Sequence, residues 1–256
     1  MSNNAIEFQN VTKKFNGAGY NAVDHINLTI QEGEFITILG SSGCGKTTLL
    51  KMINRLYEPD TGNIILFGED IQTVNAVKVR RRIGYVIQQV GLFPHMTIAE
   101  NIAIVPKLLK WDNKKIFDRV DELLTLVGLS PDEFRDRYPS QLSGGQQQRI
   151  GLARALAVDP KIMLLDEPFG AIDAINRMNL QNELLQIHGG LKKTFLLVTH
   201  DINEAFKLGS KVIIMNEGRI CQFDTPQKII NNPENNFVKS LIESARQQDR
   251  MWEGLT

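Results

Sequence analysis

Cysteine is scarce in this chain: Cys44 and Cys221 are the only two in 256 residues. Two thiols cannot build the bridge framework that staples small secreted domains, and a reducing compartment is expected. Long apolar runs are missing too. No stretch approaches the roughly 18 to 20 residues that a membrane helix needs, so any path through a bilayer would belong to another chain. The first residues, MSNNAIEFQNV, lack the basic, apolar and small-residue order of a secretory signal. Charge of one sign is absent as well, since 29 Lys and Arg offset 29 Asp and Glu. A nucleic-acid partner is not expected without a basic field. The one basic cluster, Lys78 with Arg80, Arg81 and Arg82, reads as a solvated helix face.

What is present is an ordinary globular composition, 42% hydrophobic and 23% charged. Short apolar runs alternate with helical patterns, which predicts a mainly parallel sheet with crossover helices, an α/β fold. FITIL (35–39), IMLL (162–165) and TFLLV (194–198) read as buried strands. Strands over 6–11, 26–30 and 64–67, with turns at Asn16-Gly17 and Glu32-Gly33, predict a small antiparallel β lobe. Ile116, Phe117, Val120, Leu123, Leu124 and Val127 recur at helical spacing before Gly128. The boundaries expected are a core with its β lobe over 1–90 and 159–235, an inserted helical lobe over 91–158, and a tail over 236–256.

Gly40-Ser41-Ser42-Gly43-Cys44-Gly45-Lys46-Thr47-Thr48 follows the FITIL strand and opens a helical segment. That is the context in which G-x-x-x-x-G-K-[ST] binds phosphate. Its glycines let backbone N–H groups turn inward as an anion nest, and the helix N-terminus adds further donors. Lys46 supplies a point charge to the outer phosphates, and the Thr47 hydroxyl a ligand for Mg²⁺. Cys44, inside this loop near Lys46 and a helix start, is expected to react faster with a maleimide than Cys221, and bound nucleotide is expected to protect it.

Two more polar clusters end predicted strands: Asp166-Glu167 after IMLL and His200-Asp201 after TFLLV. Ligands of open α/β sheets bind beyond such carboxyl ends. Asp166 suits a carboxylate for Mg²⁺, Glu167 a base for an attacking water, and His200 a contact to the terminal phosphate. Asp201 reads as a helix N-cap.

Leu142-Ser143-Gly144-Gly145-Gln146-Gln147-Gln148-Arg149 resembles the signature of the ABC ATPases. Ser143, Gly144 and Gly145 open a helical pattern, a second anion-reading helix end. The resemblance covers nearly the whole chain. It implies a P-loop NTPase (RecA-like) core, ATP and Mg²⁺ as ligands, and a head-to-tail homodimer with each ATP between one phosphate loop and the other subunit's Ser143 to Gln146. It also implies that Gln88 touches Mg²⁺ and the attacking water, and that Asp173, in Gly170-Ala171-Ile172-Asp173, crosses the dimer interface. Phe15 or Tyr20 would stack on adenine.

Met52 to Leu56 and the run from Arg80 to Trp111 resemble more narrowly the quaternary-amine importers of glycine betaine, choline and carnitine. That likeness implies ATP hydrolysis coupled to integral membrane permease subunits, served indirectly by a solute-binding protein, with the ATPase peripheral on the cytoplasmic face. Many such ATPases carry C-terminal CBS modules, and none is expected before Thr256. The apolar loop VGLFPHM (90–96) is the expected permease contact. The rival functions are a soluble ABC ATPase of translation or DNA repair, and the ATPase of an exporter. The first usually needs a second ATPase unit, a coiled coil or a zinc insertion, none of which the sequence displays.

Overall fold

Alternating apolar residues set the first strands. The computed structural model describes residues 4–17, 19–170 and 172–253, with side chains as far as 247. Ala171 and residues 254–256 of the expected tail lie outside them. β1 (Asn4–Lys14) and β2 (Asn21–Gln31) pair antiparallel, with Ile6 opposite Ile30 and Phe8 opposite Leu28. The buried strand β3 (Phe35–Gly40) feeds the loop that opens α1 (Lys46–Ile53), which buries Leu49, Leu50, Met52 and Ile53. β4 (Thr61–Leu66) and β5 (Glu69–Asp70) complete a four-stranded sheet in the order β2-β1-β4-β5. Phe67 is not in the strand: its φ of 50°, followed by 80° at Gly68, makes the turn. The short α2 (Ala76–Arg80) follows, and Lys78, Arg80, Arg81 and Arg82 are exposed.

The chain divides into two compact units, Met1–Val79 with Thr194–Thr256, and Arg80–Lys193. In the second, β6 (Ile83–Val86) runs parallel to β7 (Ile162–Asp166), Ile83 facing Ile162 and Val86 facing Leu165. Between them come α3 (Ile98–Leu108), α4 (Asn113–Leu126), α5 (Pro131–Phe134) and α6 (Gly144–Leu156); α7 (Ala174–Leu191) follows β7. α4 buries Ile116, Val120, Leu123 and Leu124, while Phe117 stays 53% exposed under the Arg135 guanidinium.

The first unit resumes with β8 (Thr194–Thr199), α8 (Ile202–Leu208), β9 (Lys211–Asn216), β10 (Arg219–Asp224), α9 (Pro226–Asn231) and α10 (Asn236–Glu253). β3 lies parallel between β8 and β9, and β10 closes antiparallel on β9. Glu217 and Gly218, at φ 49° and 78°, make the two-residue hairpin turn that twisted strands favour. Leu39, Ala205, Val212, Ile214, Ile229, Val238 and Ile242 form one core cluster.

Asp24 fastens β2 to that hairpin. Its carboxylate accepts from Asn21 Nδ2 at 2.8 Å, Arg219 Nε at 2.6 Å and His25 Nδ1 at 2.8 Å. Its N–H donates to Gly218 O at 2.9 Å. The Asn21 bond, then those from Arg219 and His25, pull the carboxyl from 3.8 down to about 2. A depressed carboxyl stabilises the fold above its ordinary pKa, and that contribution is lost as pH falls through the folded value. Asp24→Asn is therefore expected to lower the thermal midpoint by a few degrees near neutral pH. The gap should narrow as pH approaches 2. Thermal unfolding followed by circular dichroism across a pH series checks this, and a gap independent of pH would refute the role.

Candidate active site

In the first unit the phosphate loop leaves β3 between two strands. A Cβ on Gly40 would overlap Met215 O in β9, and one on Gly45 would overlap Ala22 O in β2. Gly45, at φ 105°, is the N-cap of α1 and makes no side-chain cap, so no side chain competes with an anion there. Lys46 is 6% exposed; its ammonium donates to Gly40 O at 2.8 Å and Ser41 O at 2.9 Å. Ser41, Ser42 and Gly43 are exposed, Thr47 and Thr48 half-buried. A nest of backbone donors, a lysine and a threonine hydroxyl suits a polyphosphate with a hard cation.

A cavity of about 840 Å³ opens on the loop, lined by Ser41 to Cys44 with Tyr20 and Arg219 among others. Tyr20 is 66% exposed. Phe15 does not line this cavity; its ring meets Tyr57 edge-on at 5.1 Å, with Lys13 Nζ 5.8 Å from its centre. His200 follows β8, whose Thr199 is paired with Leu39, so Gly40 and His200 leave neighbouring strands at the same end. Asp201 caps α8, accepting from Asn203 N at 2.9 Å and Glu204 N at 3.1 Å.

The second unit carries the other predicted residues. Asp166 ends β7, 7% exposed, and accepts from Tyr85 Oη at 3.2 Å. Glu167 turns the chain with a φ of 46°, and its Oε2 accepts from Gln88 Nε2 at 2.9 Å. Two residues 79 apart in sequence thus meet. Ser143 caps α6: its Oγ accepts from Gln146 N at 3.3 Å, and Gln146 Oε1 accepts from Ser143 N at 3.0 Å. Gly144 is exposed and Gly145 half-buried, so the helix end is open. Asp173 caps α7, and the Asn176 side chain and N–H hold its carboxyl below the usual range.

Sequence reasoning missed the side chains that hold these groups. Arg149 Nη1 donates to Val127 O at 3.1 Å and its Nη2 pairs with Glu183 Oε1 at 2.6 Å. Asn101 grips the loop before α3: its Oδ1 accepts from Phe93 N at 2.8 Å, and its Nδ2 donates to the carbonyls of Phe93, Met96 and Thr97. Such partners lie across loops, and residue spacing carries no trace of them.

The family described as "ABC transporter" matches residues 23–170. The carnitine transport ATP-binding protein OpuCA of Listeria monocytogenes is 54% identical over 94% of this chain and 60% of its own length. The osmoprotectant import ATP-binding protein OsmV of Salmonella typhimurium is 51% identical over 96% of this chain and 65% of its own. The chain thus spans under two thirds of either relative. Among solved structures, the ATP-binding cassette MJ0796, a dimer in a post-hydrolysis state with ADP and Pi, superposes with a TM-score of 0.77 at 34% identity. That likeness covers 86% of this chain and 98% of MJ0796. The chain belongs to the ABC transporter family, and its fold is that of the ABC ATPase cassette. Among the described residues no helix is long and apolar enough to cross a membrane.

One expectation is corrected. Cys44 is 4% exposed, and burial pushes its thiol up, outweighing the pull of the Lys46 ammonium 3.9 Å away. Its sulfur fills the space beside Gly40. Cys221 is half-buried. Maleimide labelling of the native chain is therefore expected to modify Cys221 first and Cys44 several-fold more slowly. Peptide mapping over a time course checks the order, and faster labelling at Cys44 would restore the reactive-thiol reading.

Proposed function

We propose that this chain binds MgATP and hydrolyses it as the ATPase subunit of an ABC importer for a quaternary amine of the glycine betaine, choline and carnitine type. The observation that carries the importer reading is the identity of 50–54% with carnitine, osmoprotectant and glycine betaine ATPases, over more than nine tenths of the chain. The hydrogen bond from Gln88 to Glu167, and the phosphate loop with its lysine, support the chemistry.

In this proposal Gly40 to Thr48 hold the phosphates, with Phe15 or Tyr20 against adenine. Thr47 and Gln88 supply hard oxygens of the kind Mg²⁺ prefers, Asp166 a carboxylate just outside its direct ligands, and the cation would neutralise charge on the phosphates. Glu167 takes the proton of the attacking water, and His200 steadies the terminal phosphate. Ser143 to Gln146 and Asp173 act across a head-to-tail homodimer. The dimer works peripherally on the cytoplasmic face beneath membrane permease subunits, with a solute-binding protein delivering the solute to them. The segment from Val90 to Met96, with Phe93 43% exposed, faces the permease.

Glu167→Gln keeps the shape of the base but cannot accept a proton. Its turnover is expected to fall by about 100-fold or more with ATP binding retained, and gel filtration in ATP should show a lasting dimer. Near-normal phosphate release would remove Glu167 from the role. Phe93→Asp is expected to abolish uptake while leaving ATP binding intact; normal uptake would place the permease contact elsewhere. Deleting the gene in its host and measuring uptake of labelled glycine betaine, choline and carnitine tests the solute. Unchanged uptake of all three would overturn the solute class and leave the ATPase assignment standing.

A further inference from the structure

Between β6 and α3 lies a segment, residues 87–97, without regular structure. It carries Gln88 near one end and Phe93 further along. Its middle is held by one side chain of α6. Arg154 Nη2 donates to Val90 O at 2.6 Å and Nη1 donates to Gly91 O at 2.8 Å. One planar guanidinium thus meets two successive carbonyls through two nitrogens held in a fixed fork. Among the described residues Arg154 makes no ion pair with a carboxylate, so its charge is committed to the loop backbone. One turn earlier on α6, Gly151 is buried, and a Cβ there would sit 2.5 Å from Val90 Cγ1. Residues three apart share a helix face. Gly151 therefore leaves a notch for Val90, and Arg154 ties the loop down beside it. The same helix begins with Ser143 and Gly144.

We propose that Arg154, with the Gly151 notch, is a positioning residue for Gln88: it fastens the glutamine-bearing loop to the signature helix, so that loop and helix move as one body. Gln88 in turn donates to Glu167. The kinetic consequence rests on the proposed ATPase function, whereas the fastening itself does not.

Two measurements on the full chain decide it. In amide hydrogen exchange without nucleotide, Arg154→Met is expected to speed exchange in the peptide covering 88–97 by about tenfold, since two charge-assisted bonds are lost. Peptides of α6 and β7 should change less than about twofold. Arg154→Lys, the milder variant should Met impair folding, is expected to show an intermediate rate. In ATP hydrolysis, Arg154→Met is expected to lower kcat about tenfold with KM for ATP within about twofold. A purely structural role would cost as much in a Gln88→Ala background, but a role through Gln88 should cost less than about twofold there. Unchanged exchange over 88–97 overturns the fastening. Equal losses in both backgrounds, or a loosened loop with normal kcat, overturn the link to Gln88. Absence of hydrolysis by the unaltered chain would refute the proposed function, and exchange alone would then decide the role of Arg154.

Discussion

The backbone of the phosphate loop lies against two carbonyl oxygens, Met215 O at Gly40 and Ala22 O at Gly45, where only a hydrogen fits. Everything the loop does depends on that close approach. A side chain at Gly45 would meet both the overlap and a φ of 105°, and such strain costs on the order of 1–3 kcal/mol before any repacking. The loop is therefore held by its surroundings as well as by the Lys46 bonds to Gly40 O and Ser41 O. The β9–β10 turn completes the hold: Gly218 N donates to Cys44 O at 3.0 Å, and Gly218 O accepts from Asp24 N at 2.9 Å. A carboxylate in β2 thus steadies a turn some 190 residues away in sequence, and that turn steadies the phosphate loop. Cys44 belongs to this packing. Its sulfur fills the gap that Gly40 leaves, which explains why burial outweighs the lysine in setting its pKa.

The second unit holds its functional loops differently. Few backbone-to-backbone bonds are available where a loop must stay open to a ligand, so long polar side chains reach in from the helices. Gln147 donates to the carbonyls of Pro139, just ahead of the signature, and Leu142, its first residue. Arg149 joins α6 to the end of α4 and to Glu183 in α7. Asn101, fully buried, satisfies one N–H and three carbonyls of the loop beside Phe93. A buried amide that finds all its partners specifies one loop conformation, and losing it would strand those backbone groups at about 1–3 kcal/mol. The exposed Phe93 is consequently presented by a segment whose backbone is tied to a buried side chain of α3.

The phosphate loop and the signature were legible because their chemistry is local. Glycines at fixed spacing, a strand before and a helix after are all written within about ten residues. The strands FITIL, IMLL and TFLLV were legible for a similar reason, since complete burial leaves an unbroken apolar run; each is one residue longer in the structure. Illegible were features fixed by distant partners. Arg154 reads as an ordinary helix cation until Val90, 64 residues earlier, is placed under it. The burial of Cys44 was not legible because nearness to a lysine and a helix start is visible in sequence while burial is not. Phe67 carries a strand-forming side chain, yet it sits in the turn at φ 50°, tertiary context overriding propensity. Phe15 and Tyr20 differ in their surroundings, one against Tyr57 and the other beside the cavity. Apolar content alone could not separate them.

The end of β7 shows how one backbone angle sorts two adjacent carboxylates into separate surroundings. In an extended strand, successive side chains point to opposite faces. Asp166 keeps that geometry and is buried under the Tyr85 hydroxyl. Glu167 leaves it through a left-handed φ of 46°, uncommon for a residue with a long side chain. That conformation persists only where neighbours fix it, and the Gln88 amide bonded to Glu167 Oε2 is one of them. An amide donor orients a carboxylate without taking a proton from it or giving one up. It can therefore aim a base and leave its proton-accepting capacity in place. The direction of Glu167 then depends on Gln88, Gln88 depends on a loop without regular structure, and that loop depends on α6. In the proposed function the base at this strand end is in this way aimed by a helix whose own first turn is the signature.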